Sequence, residues 1–181
     1  MKRCLLRLSP LFALACSGAT PRGTRVDASA HFCARRMLVV VQASPRLDPA
    51  LLGQALRDDL QNRSVQATAI KLEPDVQLTD PVVGQSLSQL APDSLLMVNW
   101  DESVIVQNYA YGAHVDSEMS KLRASLYRLT PEHNLVEVWR SAFDGHSQRN
   151  EHAMEEGDAV SIAGAITNEA ARSHLLAPCR R

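Results

Sequence analysis

Hydrophobic residues along this chain follow two rhythms, and the change from one to the other divides it. Met37-Leu-Val-Val-Val-Gln42 is a continuous apolar run, the pattern of a strand buried on both faces. Leu52, Leu56 and Leu60, with Ala55, then recur at helical spacing to about Asn62. Asp48-Pro49 in front of them supplies a cap and a first-turn proline, and Leu47 and Leu52 are placed to staple across that cap. Val65-Gln-Ala-Thr-Ala-Ile70 alternates as a half-buried strand. A second Asp-Pro start, Asp80-Pro81, leads Val83, Leu87 and Leu90 into another helix. The two helix starts look alike (Gly53-Gln54-x-Leu56, Gly84-Gln85-x-Leu87); shared helix-start chemistry explains this more economically than a duplicated β-α unit. After the break at Pro92-Asp93, Leu95-Leu-Met-Val-Asn-Trp100 predicts a third buried strand.

From Trp100 onward the character is strand-rich: six of the eight aromatic residues fall between Trp100 and Phe143. Val104–Tyr109 reads as a strand. Leu122–Leu129 and Leu135–Phe143 flank Thr130-Pro-Glu-His-Asn134 as the arms of a hairpin. Asp116–Arg123 admits a short helical turn as an alternative. A polar stretch, Asp144–Asp158, precedes a last helix carrying Ala159, Ile162, Ala163, Ile166 and Ala170, which ends before Pro178. The expected order is β-α-β-α-β, then a β-meander, then a C-terminal helix. That is a mixed α/β (α+β) fold with one mixed sheet packed by helices.

The first residues follow neither rhythm. Lys2, Arg3 and Arg7 make a basic segment, Leu8–Ala15 a short apolar one, and Ala13-Leu14-Ala15 offers small residues before a cleavage point. This segment resembles a bacterial lipoprotein signal. The resemblance implies removal of residues 1–15, lipidation (palmitate among the acyl chains) of Cys16, and an envelope location. Ser17 rather than Asp after the cysteine implies the outer membrane, facing the periplasm. Cleavage after Ala15 by an ordinary signal peptidase, leaving a free Cys16 thiol, and a cytosolic chain with an apolar start stay open as alternatives. Residues 16–36 are small and polar, with Gly18, Pro21 and Gly23, and are expected to form a flexible tether ahead of a single domain over 37–181.

The element order and the hairpin Leu126-Tyr-Arg-Leu…Leu135-Val-Glu-Val-Trp-Arg140 are similar to small periplasmic lipoproteins of the curli-secretion-channel and penicillin-binding-protein activator type. That resemblance bears on fold more than on function.

Composition narrows the classes. With 19 basic and 20 acidic residues and 4% aromatics, the chain offers neither the basic stripe nor the stacking platform of a nucleic-acid binder. Losing Lys2, Arg3 and Arg7 with the signal would leave the remainder more acidic. Of the four cysteines, Cys4 leaves with the signal and Cys16 takes the lipid. In an oxidising compartment Cys33 and Cys179, at the two ends of the domain, are expected to bridge; two unpaired thiols, or one mispaired with an unlipidated Cys16, are the alternatives.

Candidate chemistry is sparse: there is no nucleophile elbow, phosphate-cradling loop or zinc-ligand spacing. His146 and His152, among the acids of Asp144–Asp158, are six residues apart, and a solvated loop leading into a helix explains those acids as well as a metal site does. Asp101 and Glu102 are adjacent in an extended segment, where neighbouring side chains point to opposite faces and make a poor acid/base pair. Tyr109 and Tyr111 are candidates for contact with a protein partner, or alternatively pack along one sheet face at period two. Asn62-Arg-Ser64 matches a glycosylation acceptor that a bacterial lipoprotein leaves idle. The expectation is a non-catalytic envelope lipoprotein without cofactor or metal, held to the membrane by lipid and binding another envelope protein. A periplasmic hydrolase or small-ligand-binding protein is the alternative.

Overall fold

The computed structural model describes residues 19–27, 32–42, 48–73, 77–79, 81–110, 113–132, 134–147 and 154–176, with side chains left aside at 101–120 and 145–147. Nine elements follow in order: β1 (Ala19–Val26), β2 (Arg36–Gln42), α1 (Pro49–Asn62), β3 (Gln66–Leu72), α2 (Pro81–Leu90), β4 (Ser94–Ala110), β5 (Ala113–Leu129), β6 (Leu135–Ser147) and α3 (Glu156–Arg172). The strands form one mixed sheet in the order β1-β6-β5-β4-β2-β3. β2 runs parallel to β3 and β4, and the remaining pairs are antiparallel.

The Asp48-Pro49 start behaves as its chemistry requires. The Asp48 carboxylate accepts from the backbone N–H of Ala50 (2.9 Å) and Leu51 (3.2 Å), so two otherwise orphaned donors are satisfied. Leu47 and Asp80 lie outside the described residues. α1 and α3 both end in the same way. Val65 N–H reaches Leu60 O and Ser64 N–H reaches Gln61 O; Leu175 N–H reaches Ala170 O and His174 N–H reaches Ala171 O. These are Schellman closures, with Ser64 (φ 64°) and His174 (φ 60°) in the left-handed position that glycine usually fills.

The chain crosses from β2 to β3 through α1, then returns past β2 to β4 through α2. Because such crossovers are right-handed, this reversal of direction puts the two helices on opposite faces. The core divides accordingly. On one face Met37, Val39 and Val41 of β2 pack with Leu52, Leu56 and Leu60 of α1 and Ile162, Ala163 and Ile166 of α3. On the other, Leu38, Val40, Leu72, Leu95 and Met97 pack with Val83 of α2. Gly53 lets α1 sit close to the sheet: a Cβ there would lie 3.2 Å from that of Ala69. α1 and α3 are also tied by polar groups, with Arg63 Nη2 donating to Asn168 Oδ1 (2.6 Å) and Thr167 Oγ1 to the Asp59 carboxylate.

Three expectations are revised. Ala19–Val26, expected within a tether, is an edge strand paired with β6 from Ala19↔Gly145 to Val26↔Trp139. Its sequence has no apolar alternation because the pairing is made by backbone; Thr24 adds a 2.7 Å hydrogen bond to Glu169 of α3. The sheet therefore begins at residue 19 rather than 37. Asp116–Arg123 contains no helical turn and is part of β5. Leu95–Trp100 and Val104–Tyr109 are one strand, β4, with an irregularity between Trp100 and Glu102.

Candidate functional site

Two features of the sheet stand apart from its folding. The first is a ribbon. Among the described residues, β2 pairs with β4 from Ser94 to Val98, and β6 pairs with β5 as far as Glu118↔Ser147. β4 and β5 continue together well past this, register by register, to Ala110↔Ala113. Beyond Ile105↔Glu118 the ribbon runs from Val106 to Ala110, roughly 15 Å at strand rise. Among the described residues the outer edge of β4 beyond Val98 has no partner strand. Such an edge presents a row of backbone donors and acceptors open to strand addition. Tyr109 occupies this ribbon in register with His114; Tyr111 lies outside the described residues. Asp101 and Glu102 lie at the ribbon's root, and Asn99 beside them carries a buried Oδ1 without a hydrogen-bond partner.

The second feature is a cationic area on the α2 side of the sheet, beyond the reach of α2. In β5, residues two apart share a face. Lys121, Arg123 and Ser125 therefore lie opposite the buried Leu122, Ala124 and Leu126 of the α1/α3 core. Ser125 is in register with Arg140 of β6, and Arg140 with Arg25 of β1. Arg25, Arg123 and Arg140 are exposed. Arg22 Nε pairs with Asp144 Oδ2 at 2.6 Å. Arg140 Nε donates to Glu137 Oε2 at 3.1 Å, and that hydrogen bond, followed by the Glu137 charge, raises the Arg140 pKa. These cations share the area with the carboxylates of Asp144, Glu137 and, two residues after Arg25, Asp27, and Lys121, Arg123 and Asp27 each take part in an interaction of their own. Arg25 facing Arg140 across the strands is a like-charge pair of the kind that weakens a sheet. Sequence reading singled out none of these cations, and weighed Asp144 only among the acids of Asp144–Asp158. Their signal was available in the alternation of β5, where the α1/α3 side is apolar at Leu122, Ala124 and Leu126 and the opposite side is basic.

A cleft of about 440 Å³ opens at the N-terminal ends of β2 and β3, lined by Arg36, Gln61, Ser64, Gln66, Thr68 and Leu90 among others. It holds one formal charge, Arg36, and lies away from the C-terminal strand ends where α/β sheets place their chemistry. Among the described residues no three His, Cys, Asp or Glu side chains gather as a metal site, and no helix is long and apolar enough to cross a membrane. The side chain of His146 is not described, and His152 lies outside the described residues.

Cys33 is half-buried just ahead of β2. The next residue, Ala34, bridges to Leu176, and its N–H donates to Leu175 O at 3.1 Å. The segments entering the first inner strand and leaving the last helix are therefore side by side. Cys16 and Cys179 lie outside the described residues.

No protein-family model and no curated protein matches the chain. Among solved structures, a point variant of the PelC dodecamer from Paraburkholderia phytofirmans is similar over 81% of this chain and 96% of that one, at 12% identity and a TM-score of 0.48. Lipoprotein GNA1162 from Neisseria meningitidis is similar over 76% of this chain and 99% of its own, at 14% identity and a TM-score of 0.42. A minor lipoprotein from Acinetobacter baumannii is similar over 77% and 95%, at 11% identity and a TM-score of 0.39.

Proposed function

We propose that this protein is a non-catalytic lipoprotein of the bacterial envelope, anchored through Cys16 to the outer membrane and facing the periplasm, where it binds or helps assemble another protein. The observation that carries the reading is the junction at the start of the sheet. A basic segment, an apolar segment and small residues lead to Cys16, and the first strand starts only three residues later, at Ala19. A mature chain starting at Cys16 would contain every strand and helix described, and the residues before it would supply only the export signal.

Protein binding is supported by the open edge of β4, whose backbone groups beyond Val98 can accept a strand from a partner. Tyr109, within that stretch, and Tyr111, just after it, are the partner-contact candidates. The reading is tested by cross-linking in intact cells followed by pull-down, with Cys16→Ser as the control. We expect a discrete cross-linked partner, with both the cross-link and membrane fractionation lost in Cys16→Ser. Fractionation unchanged by that substitution would contradict the anchor. An unchanged cross-link to a ribbon variant with Tyr109→Asp would contradict the contact site.

The second part of the proposal is a Cys33–Cys179 bridge. Its support is the Ala34–Leu176 pairing, which leaves Cys179 three residues from the partner of Cys33's neighbour. Such a bridge would close nearly the whole domain into one loop, for which the chain-entropy description gives about 5 kcal/mol as an upper figure. Residues 17–181, purified without reductant, should show no free thiol. Two reactive thiols would contradict the pairing.

A further inference from the structure

From the unused polar groups of the cleft at the start of β2 and β3, and from the open edge beside it, we infer that this cleft is a peptide site. It takes the free C-terminus of an extended peptide, with the terminal carboxylate on Arg36 and the peptide backbone along β3. The site is separate from the ribbon and does not depend on the lipid anchor.

Three observations converge. The first is the chemistry of the walls. Arg36, Gln61, Ser64, Gln66 and Thr68 line the cleft, and all five are exposed. Among the described residues their side chains have no hydrogen-bond or ion-pair partner, whereas Arg22, Arg57, Arg63, Arg140 and Arg172 each hold a carboxylate. The lining includes no acid. The nearest acid in sequence, Asp93, turns its carboxylate to the N–H groups of Arg35 and Arg36 and to Ser94 Oγ. One guanidinium without a counter-charge, among neutral amides and hydroxyls, suits a single carboxylate.

The second is the edge. β3 is the last strand of the sheet, and among the described residues its outer side has no partner strand. Gln66 N–H donates to Arg35 O at 2.8 Å, toward β2, so the N–H and C=O of the next residue, Ala67, point outward. Ala67 also lines the cleft. A chain laid there can add to the sheet as a further strand. Arg36 is in register with Gln66, the first residue of β3. A peptide whose carboxylate meets Arg36 therefore runs antiparallel to β3, its earlier residues alongside Ala69.

The third is the floor. Met37, Val65 and Pro92 are buried beneath the polar rim, and Leu90, at the end of α2, is 40% exposed beside them. The volume of about 440 Å³ is that of a small-ligand pocket, enough for the end of a chain and too little for a folded partner. These apolar groups call for an aliphatic last side chain. Ser64, held at φ 64° where glycine is easier, contributes its side chain to the wall.

The test uses the protein purified from envelopes in detergent. The probe is a library of random heptapeptides tethered at their N-termini, each with a free C-terminus. We expect enrichment of peptides that end in an aliphatic residue. An enriched peptide, labelled and titrated by fluorescence anisotropy, should bind roughly tenfold more weakly when its C-terminus is amidated, and again roughly tenfold more weakly to Arg36→Gln. The two losses should not add, because both remove the same pair. Methylating one backbone nitrogen of the peptide should weaken binding while methylating the adjacent one does not, the period of strand pairing. Ser64→Gly should weaken binding about threefold while raising Tm, which separates loss of the hydroxyl from loss of fold. Arg57→Gln on α1 and Tyr109→Asp on the ribbon should leave binding unchanged. N-Acetylleucine at the peptide's own concentration should not displace it. Absence of enrichment, or binding unaffected by amidation or by Arg36→Gln, would overturn the inference. Equal effects of methylation at adjacent nitrogens would overturn the pairing with β3, and displacement by N-acetylleucine would show a site for small free carboxylates instead.

Discussion

The two faces of the sheet are built to different ends. On the α1/α3 face, 23 of the described residues form one buried apolar cluster; on the α2 face, six do, and α2 itself buries a single side chain, Val83. Trp139 and Phe143 project into the first cluster from β6, while on the other side of the same strand Arg140 and Ala142 are exposed. One face therefore supplies most of the apolar burial that stabilises the domain. The other is free to carry charge and to extend into a ribbon without loss to the core.

The sharpest way to break this comparison is to truncate matching positions. Leu56→Ala, at a fully buried site under α1, should cost about 2–5 kcal/mol in denaturant unfolding. Val83→Ala, the equivalent under α2, removes less volume from a thinner cluster and should cost about 1–2 kcal/mol. Equal losses would show that the α2 face contributes more to folding than its burial implies.

Asp93 joins the two faces at the sheet's end. Its carboxylate accepts from Arg35 N–H (3.1 Å), Arg36 N–H (3.1 Å) and Ser94 Oγ (3.0 Å), pinning the start of β2 beside that of β4. Asp93→Ala should destabilise by about 1–3 kcal/mol, because backbone donors lose a charged acceptor. Hydrogen exchange should show the loss first at Arg35 and Arg36.

Ser64→Gly works in the opposite direction. At φ 64° a serine side chain is held in the left-handed region, so glycine there should stabilise the end of α1 by about 1 kcal/mol, seen as a raised Tm. The smallest effect belongs to the β5–β6 turn. The Glu132 pKa is lowered, first by the Thr130 side-chain hydrogen bond and then by its own backbone. A carboxylate whose folded pKa is depressed contributes stability above its unfolded value of about 4.5, and that contribution is lost as pH falls through the lower folded value. Thr130→Ala should therefore narrow the stability difference between neutral and acidic pH slightly, in paired denaturation series.

How much of this the sequence disclosed depends on what each residue's chemistry is used for. Leu52, Leu56 and Leu60, Met37–Gln42 and the Asp48-Pro49 cap were legible because burial and capping impose a period and a fixed spacing. β1 was not, because Thr20-Pro-Arg-Gly-Thr-Arg25 earns its place by backbone pairing at an edge, which leaves no alternation to read. The continuity of β4 through Trp100-Asp-Glu102 was hidden by two adjacent acids that look like a turn, whereas the ladder absorbs the extra residue and continues. The basic face escaped notice because its members come from β1, β5 and β6, far apart in sequence and joined only by register. Tyr109 was singled out as a contact residue, and its place on the ribbon follows from a hairpin that local pattern only half revealed.

The proposed function turns on one covalent event, acylation of Cys16. The most direct measurement is mass spectrometry of the N-terminal tryptic peptide of the protein purified from envelopes, ending at Arg22. We predict a peptide that begins at Cys16 and carries the mass of the attached lipid. An unmodified Cys16 at the N-terminus, or a chain that still begins at Met1, would contradict the account.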